Sequence, residues 1–162
     1  MSGFPQNFVT KLTDVRASTE QHDVLGTVRW EGNKGYKYCQ IKAVPTDDTV
    51  DAVAGDMAVY TDYSAHEVGV DITDVDGGGF AAGIFGGTID ISAKVGNFLW
   101  IQFAGPATLS TTVANSAAAL DRISGSGTSA ADKTFTLATT LKQADGVLIN
   151  STTKEVYLSC PF

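Results

Sequence analysis

Val95-Gly96-Asn97, followed by Phe98-Leu99-Trp100-Ile101-Gln102-Phe103, decides how this chain folds. Val-Gly-Asn is a turn signal, because Gly and Asn tolerate the tight backbone angles a reversal needs. The six residues after it are apolar at both parities and rich in aromatic and β-branched types. That pattern predicts a central strand covered on both faces. Just upstream, Thr88-Ile89-Asp90-Ile91-Ser92-Ala93-Lys94 alternates strictly and predicts a second strand, with Ile89, Ile91 and Ala93 on its inner face.

Working outward, hairpin signals flank this centre. Val24-Leu25-Gly26-Thr27-Val28-Arg29-Trp30 and Tyr36-Lys37-Tyr38-Cys39-Gln40-Ile41-Lys42 are joined by a turn at Glu31-Gly32-Asn33-Lys34-Gly35. A second hairpin closes the chain: Gly146-Val147-Leu148-Ile149, a turn over 150–153, and a strand over 155–160. Met57-Ala58-Val59-Tyr60, residues 107–113 and residues 134–138 read as further short strands, the last with Phe135 and Leu137 inward. Residues 64–87 read as loop, and residues 115–122 as either two helical turns capped by Asn115 or a strand. About eight short strands punctuated by Gly, Ser, Thr and Asn turns predict an all-β fold, a small sandwich or barrel of jelly-roll-like character. Residues 1–22 carry Phe4, Phe8, Val9 and Leu12 without a sustained period and read as an extended N-terminal arm. Residues 23–162 read as one β domain.

The 162 residues carry 11 Lys and Arg against 18 Asp and Glu, a formal net charge of −7. This charge has a location. Residues 1–42 balance at +2 and residues 91–162 at +1, while residues 43–90 hold ten carboxylates and no Lys or Arg, giving −10. An acidic chain of this kind is a poor partner for nucleic acid, where Lys and Arg must neutralise phosphates, and for anionic membrane. Residues 1–15 lack the apolar run of a signal peptide. The most apolar region, residues 80–103, is broken by Asp90, Ser92, Lys94 and Asn97 and is not expected to span a bilayer. Cys39 and Cys160, 121 positions apart and outside any CxxC spacing, read as two free, buried thiols of a protein made in the cytoplasm.

No catalytic signature emerges. His22 and His66 are the only histidines, and no GxSxG elbow accompanies them. Asp71-Ile72-Thr73-Asp74-Val75-Asp76-Gly77 fails as an EF-hand, since Ile72 and Gly83 would occupy the first and twelfth positions, where carboxylates are needed. Asp71, Asp74 and Asp76 remain candidates for a looser cation site, although Asp and Gly as turn formers explain the run without a metal. Gly32-Asn33-Lys34-Gly35 lacks the spacing and ending of a phosphate loop. Trp30, Tyr36 and Tyr38, at strand positions, are read as core or interface rather than as a stacking platform. The expectation is a chain that is not an enzyme and has no cofactor.

Three stretches carry a resemblance. Ala81-Ala82-Gly83-Ile84-Phe85-Gly86-Gly87, then Val95-Gly96-Asn97-Phe98-Leu99-Trp100-Ile101-Gln102-Phe103-Ala104-Gly105-Pro106-Ala107, resemble a module of tailed-bacteriophage head decoration (capsid cement) proteins. In that module an Ala-Gly-Ile strand leads to a glycine turn and then a W-[IV]-Q-x-x-G-x-A strand. Ala144-Asp145-Gly146-Val147-Leu148-Ile149 with Glu155-Val156-Tyr157-Leu158 resembles the closing strands of the same proteins. Leu25-Gly26-Thr27-Val28 with Gly35-Tyr36-Lys37-Tyr38 resembles their early hairpin. The resemblance implies a non-catalytic virion protein on the outer capsid surface, bridging neighbouring major capsid protein subunits, commonly as a homotrimer. Its arm, through Phe4, Phe8, Val9 and Leu12, is expected to touch the capsid. The alternative expectation, of a different class, is a glycan-binding β-sandwich of a phage fibre or surface protein that uses the Asp-rich run with calcium.

Overall fold

The computed structural model describes residues 11–12, 14–42, 51–70, 81–113, 117–125, 135–138 and 144–160. Ten strands follow in chain order: β1 (Val28–Glu31), β2 (Lys34–Ile41), β3 (Met57–Asp62), β4 (Glu67–Gly69), β5 (Ala81–Phe85), β6 (Phe98–Thr108), β7 (Arg122–Gly125), β8 (Phe135–Leu137), β9 (Gly146–Asn150) and β10 (Glu155–Ser159). They form one sheet in the order β1-β2-β4-β3-β5-β6-β10-β9-β7-β8, with a further pairing of β2 to β6. That pairing closes β2, β4, β3, β5 and β6 into a five-stranded barrel. The fold is all-β, and of the two architectures expected the barrel is the one present, with a second sheet continuing from it.

Strand β6 belongs to both halves. Along one edge it pairs with β2 from Phe98 to Ala104. Along the other it pairs first with β5 at Ile101 and Gln102, then with β10 from Ala104 to Thr108. The doubly covered strand expected from Phe98 to Phe103 is therefore present and runs five residues further. Gly105, at φ +89°, lies where β6 leaves the barrel, and a Cβ there would collide with the Asn33 carbonyl of the β1–β2 turn. Only glycine accommodates both that angle and that approach.

Two main cores result. The barrel interior is filled by Cys39, Ile41, Tyr60, Val68, Phe85, Ile91, Leu99 and Ile101. The second core lies between the barrel wall and the β10-β9-β7-β8 sheet and includes Met57, Ile84, Phe103, Ile123, Phe135, Leu148, Val156 and Leu158. A smaller cluster of Tyr38, Phe98 and Trp100 on the outside of β2 and β6 is covered by Leu12 and Leu25. Both cysteines are free and buried, as expected.

Several local expectations are corrected. Residues 64–87 hold β4 and β5 rather than loop alone. β4 is three residues long and is held between β2, in parallel, and β3. Residues 88–94 are not a strand. Ile89 makes a single bridge to Ala52, after which the Asp90 carboxylate accepts from Ser92 Oγ (2.8 Å) and the Ala93 amide (2.9 Å). This side-chain turn bends Ser92–Lys94 into one 3-10 turn. Ile89 and Ile91 still face inward, whereas Ala93 is exposed. Ala107 belongs to β6, and beyond Thr108 the chain leaves the sheet. Residues 117–121 form a turn leading into β7, not a helix.

Candidate functional site

Three features outside simple core packing compete for a role: the buried end of the barrel around Lys37, the carboxylates of the acidic segment, and the outer face of the sheet around Tyr157.

Lys37 follows the inward parity of Cys39 and Ile41 on β2, and its side chain is 1% exposed. Its Nζ donates to the Tyr60 hydroxyl at 2.6 Å and lies 5.2 Å from the Tyr60 ring centre, 5.7 Å from Tyr63 and 5.9 Å from Phe103. Trp30 packs edge-on against Phe103 at 5.8 Å. Burial lowers the Lys37 pKa from its usual value and raises that of Tyr60. Electron-rich ring faces and the Tyr60 hydroxyl are thus among the groups that take the place of water around this amine. The sequence held a signal for this, since Lys37 is in phase with Cys39 and Ile41, and the signal was missed.

Burial pushes the Cys39 thiol up to about 12 and the Cys160 thiol well above its usual value. Both are therefore protonated and poor nucleophiles at neutral pH. Asp145, 3% exposed, joins three strands: its Oδ2 accepts from the Gly125 amide at 2.5 Å and its carbonyl accepts from the Ser159 amide at 2.8 Å. Its Oδ1 is buried without a partner, and burial raises its pKa to about 6. Among the described residues, no cluster of His, Cys, Asp and Glu is arranged to hold a metal. Asp71, Asp74 and Asp76 lie outside the described residues, and with them the calcium-dependent glycan reading.

Three carboxylates of the acidic segment, Asp56, Asp62 and Asp90, are turn builders. Asp56 is buried, bonded to Ser110 Oγ and to the Val53 amide. Asp62 accepts from Ser64 and Ala65, and Asp90 caps the 3-10 turn as above. These bonds hold both carboxyls below the usual range. Glu67 pairs with Lys42 at 2.5 Å, so part of the local charge is answered by a lysine just outside the segment.

Of the arm residues, Phe4, Phe8 and Val9 lie outside the described residues. Leu12 is half-buried against the Tyr38–Phe98–Trp100 cluster, and Val15 packs on the barrel core. Arg16 and Phe98 exchange backbone hydrogen bonds, both 2.8 Å. The described part of the arm is thus seated on its own domain.

The sheet face is the feature that sequence reading did not single out. Pro106 of β6, Tyr157 of β10, Val147 of β9 and Arg122 of β7 are successive register partners. Lateral partners in a sheet point to the same side, so these four form one row across four strands. Val156, Leu158 and Leu148, at the opposite parity, fill the second core. Tyr157 is 50% exposed and Ile149 46% exposed. The row is apolar at Pro106, Tyr157 and Val147, bordered by the charged or polar Arg122, Glu155 and Ser159.

No family model matches the chain, and neither a curated protein nor a solved structure matches it. The resemblance therefore stands on the residues that carry it. In the structure those three stretches, far apart in sequence, gather around β6. β2, β5 and β10 pair with it directly, and β1 and β9 are the next strands out.

Proposed function

We propose that this chain is a non-catalytic structural protein of a phage particle. It decorates and cements the outer capsid surface by bridging neighbouring major capsid protein subunits, and it does so as a homotrimer. The observation that carries this reading is the register row Pro106–Tyr157–Val147, with Tyr157 half exposed between its two partly buried neighbours, displayed by the same strands whose sequences resemble decoration proteins. A cement protein works by many distributed contacts rather than through a pocket. An apolar sheet face with a polar border suits that task, because burying it releases water along a broad, shallow area. Tyr157 supplies the large, rigid contact that tends to dominate such interfaces.

The reading is tested by quantitative mass spectrometry on purified particles of the phage whose genome encodes the chain. A fixed ratio to the major capsid protein is expected, and absence from the particle would refute the proposal. Native mass spectrometry of the isolated chain tests the trimer.

A further inference from the structure

His66 ends the turn between β3 and β4 and has a left-handed backbone, φ +55°. Its carbonyl accepts from the Gln40 amide of β2 at 3.1 Å. Its ring reaches over β2 to the segment that enters β1, lying against Gly26, where any Cβ would collide with the imidazole. Gly26 has φ +81°, and its amide donates to the Tyr38 carbonyl of β2 at 2.9 Å. One side chain thus joins the β3–β4 turn to the turn at residues 24–27 across an intervening strand. The ring pays for this position, since its Nδ1 is buried without a hydrogen-bond partner.

We infer that His66 is an acid-sensitive latch: the neutral ring holds residues 24–27 against the barrel, and the protonated ring releases them. Whichever nitrogen carries the proton in the neutral ring, a second proton adds a charge, and Nδ1 has no acceptor to receive it. The surrounding charges do not rescue it. From β2 the facing group is Lys37, a cation that disfavours the imidazolium. On its own turn Asp62 is occupied by Ser64 and Ala65, Tyr63 packs on Tyr60, and Glu67 is paired with Lys42. The segment 23–27 has one charged side chain, Asp23, which has a partner already. Burial and Lys37 both hold the ring below its ordinary pKa of 6.5. The unfolded or released chain therefore takes up the proton first as pH falls. The latch is complete above about pH 6.5 and is lost as the pH drops through the lowered value.

The test is amide hydrogen exchange on the full chain, followed at Gly26 and Thr27 between about pH 7.5 and pH 5 and corrected for intrinsic exchange. About a tenfold fall in protection is expected, because the released ring takes up a proton that the latched ring disfavours. His66→Asn keeps a residue that tolerates the left-handed backbone but cannot take up a proton, and its Gly26 protection should not depend on pH. Asp145 also titrates near this range, so protection at the Gly125 amide should still change with pH in that variant. Unchanged wild-type protection at pH 5, or the same fall in the Asn variant, would overturn the latch. Should the variant not fold, an NMR titration of the wild type decides the matter. The Gly26 amide shift should follow the His66 ring, and a shift that follows His22, or none, would refute it.

Discussion

Lys37 Nζ donates to Tyr60 Oη at 2.6 Å inside the barrel, joining β2 and β3, strands that do not pair with each other. Burying an amine costs several kcal/mol, which the hydroxyl and the surrounding ring faces offset only in part. Removing the acceptor while keeping the charge should therefore hurt more than removing the charge. Tyr60→Phe is expected to destabilise the fold by about 1–3 kcal/mol. Lys37→Met, similar in length and apolar, should be neutral or stabilising. Urea denaturation of the two variants checks the order, and a larger loss in Lys37→Met would contradict it.

Asp145 gives a stability contribution of the opposite sign to that of most acidic groups. Its folded pKa, about 6, lies above the ordinary 3.8, so between these values the folded chain binds more protons than the unfolded one. Its contribution is therefore greatest below pH 3.8 and is lost as pH rises through about 6. Asp145→Asn keeps an oxygen for the Gly125 amide and removes the buried charge. At pH 7.5 it should raise stability by about 1–2 kcal/mol, with the gain vanishing near pH 4. Denaturant melts at the two pH values measure this, and a pH-independent difference would contradict it.

Much of the architecture was legible because it rests on local pattern. The Phe98–Phe103 run, apolar at both parities, announced a strand covered on both faces, and β6 is that strand. The hairpins at β1–β2 and β9–β10 were likewise set by alternation and turn residues. What escaped depends on partners distant in sequence. Glu67-Val68-Gly69 has no strand signature of its own and is a strand because β2 and β3 flank it. Ala81-Ala82-Gly83-Ile84-Phe85 is buried throughout and presents no alternation to detect; the residue pattern read it as loop, and the family resemblance read it as a strand. The strict alternation of residues 88–94 misled because one carboxylate, Asp90, bonds the chain into a turn. The Pro106–Tyr157–Val147 row escaped for a similar reason, since register across strands is invisible to any single segment.

Both thiols should be inert in the native state. Cys39 and Cys160 are buried, and burial keeps them protonated, so a thiol reagent at pH 8 must largely wait for the chain to open. Modification should be at least about a hundredfold slower than in denaturant, where both thiols react. Rapid labelling of one thiol in the native chain would show that its core opens locally.

Attachment to the capsid is expected to rest on the apolar row around Tyr157 rather than on the acidic segment. Asp56, Asp62 and Asp90 serve turns, and Glu67 is paired with Lys42. Binding of the chain to isolated capsids should therefore change less than about threefold between low and physiological salt, since apolar burial is weakly screened. A steep loss of binding with salt would show instead that the acidic segment pairs with a basic patch on the shell.

The most direct measurement of the central claim is a cryo-EM map of the particle with this chain traced. The account predicts the chain on the outer surface, with Pro106, Tyr157 and Val147 buried against capsid protein or a second copy, and occupancy sharply reduced by Tyr157→Glu. A particle without the chain, or one in which that row faces solvent, would contradict it.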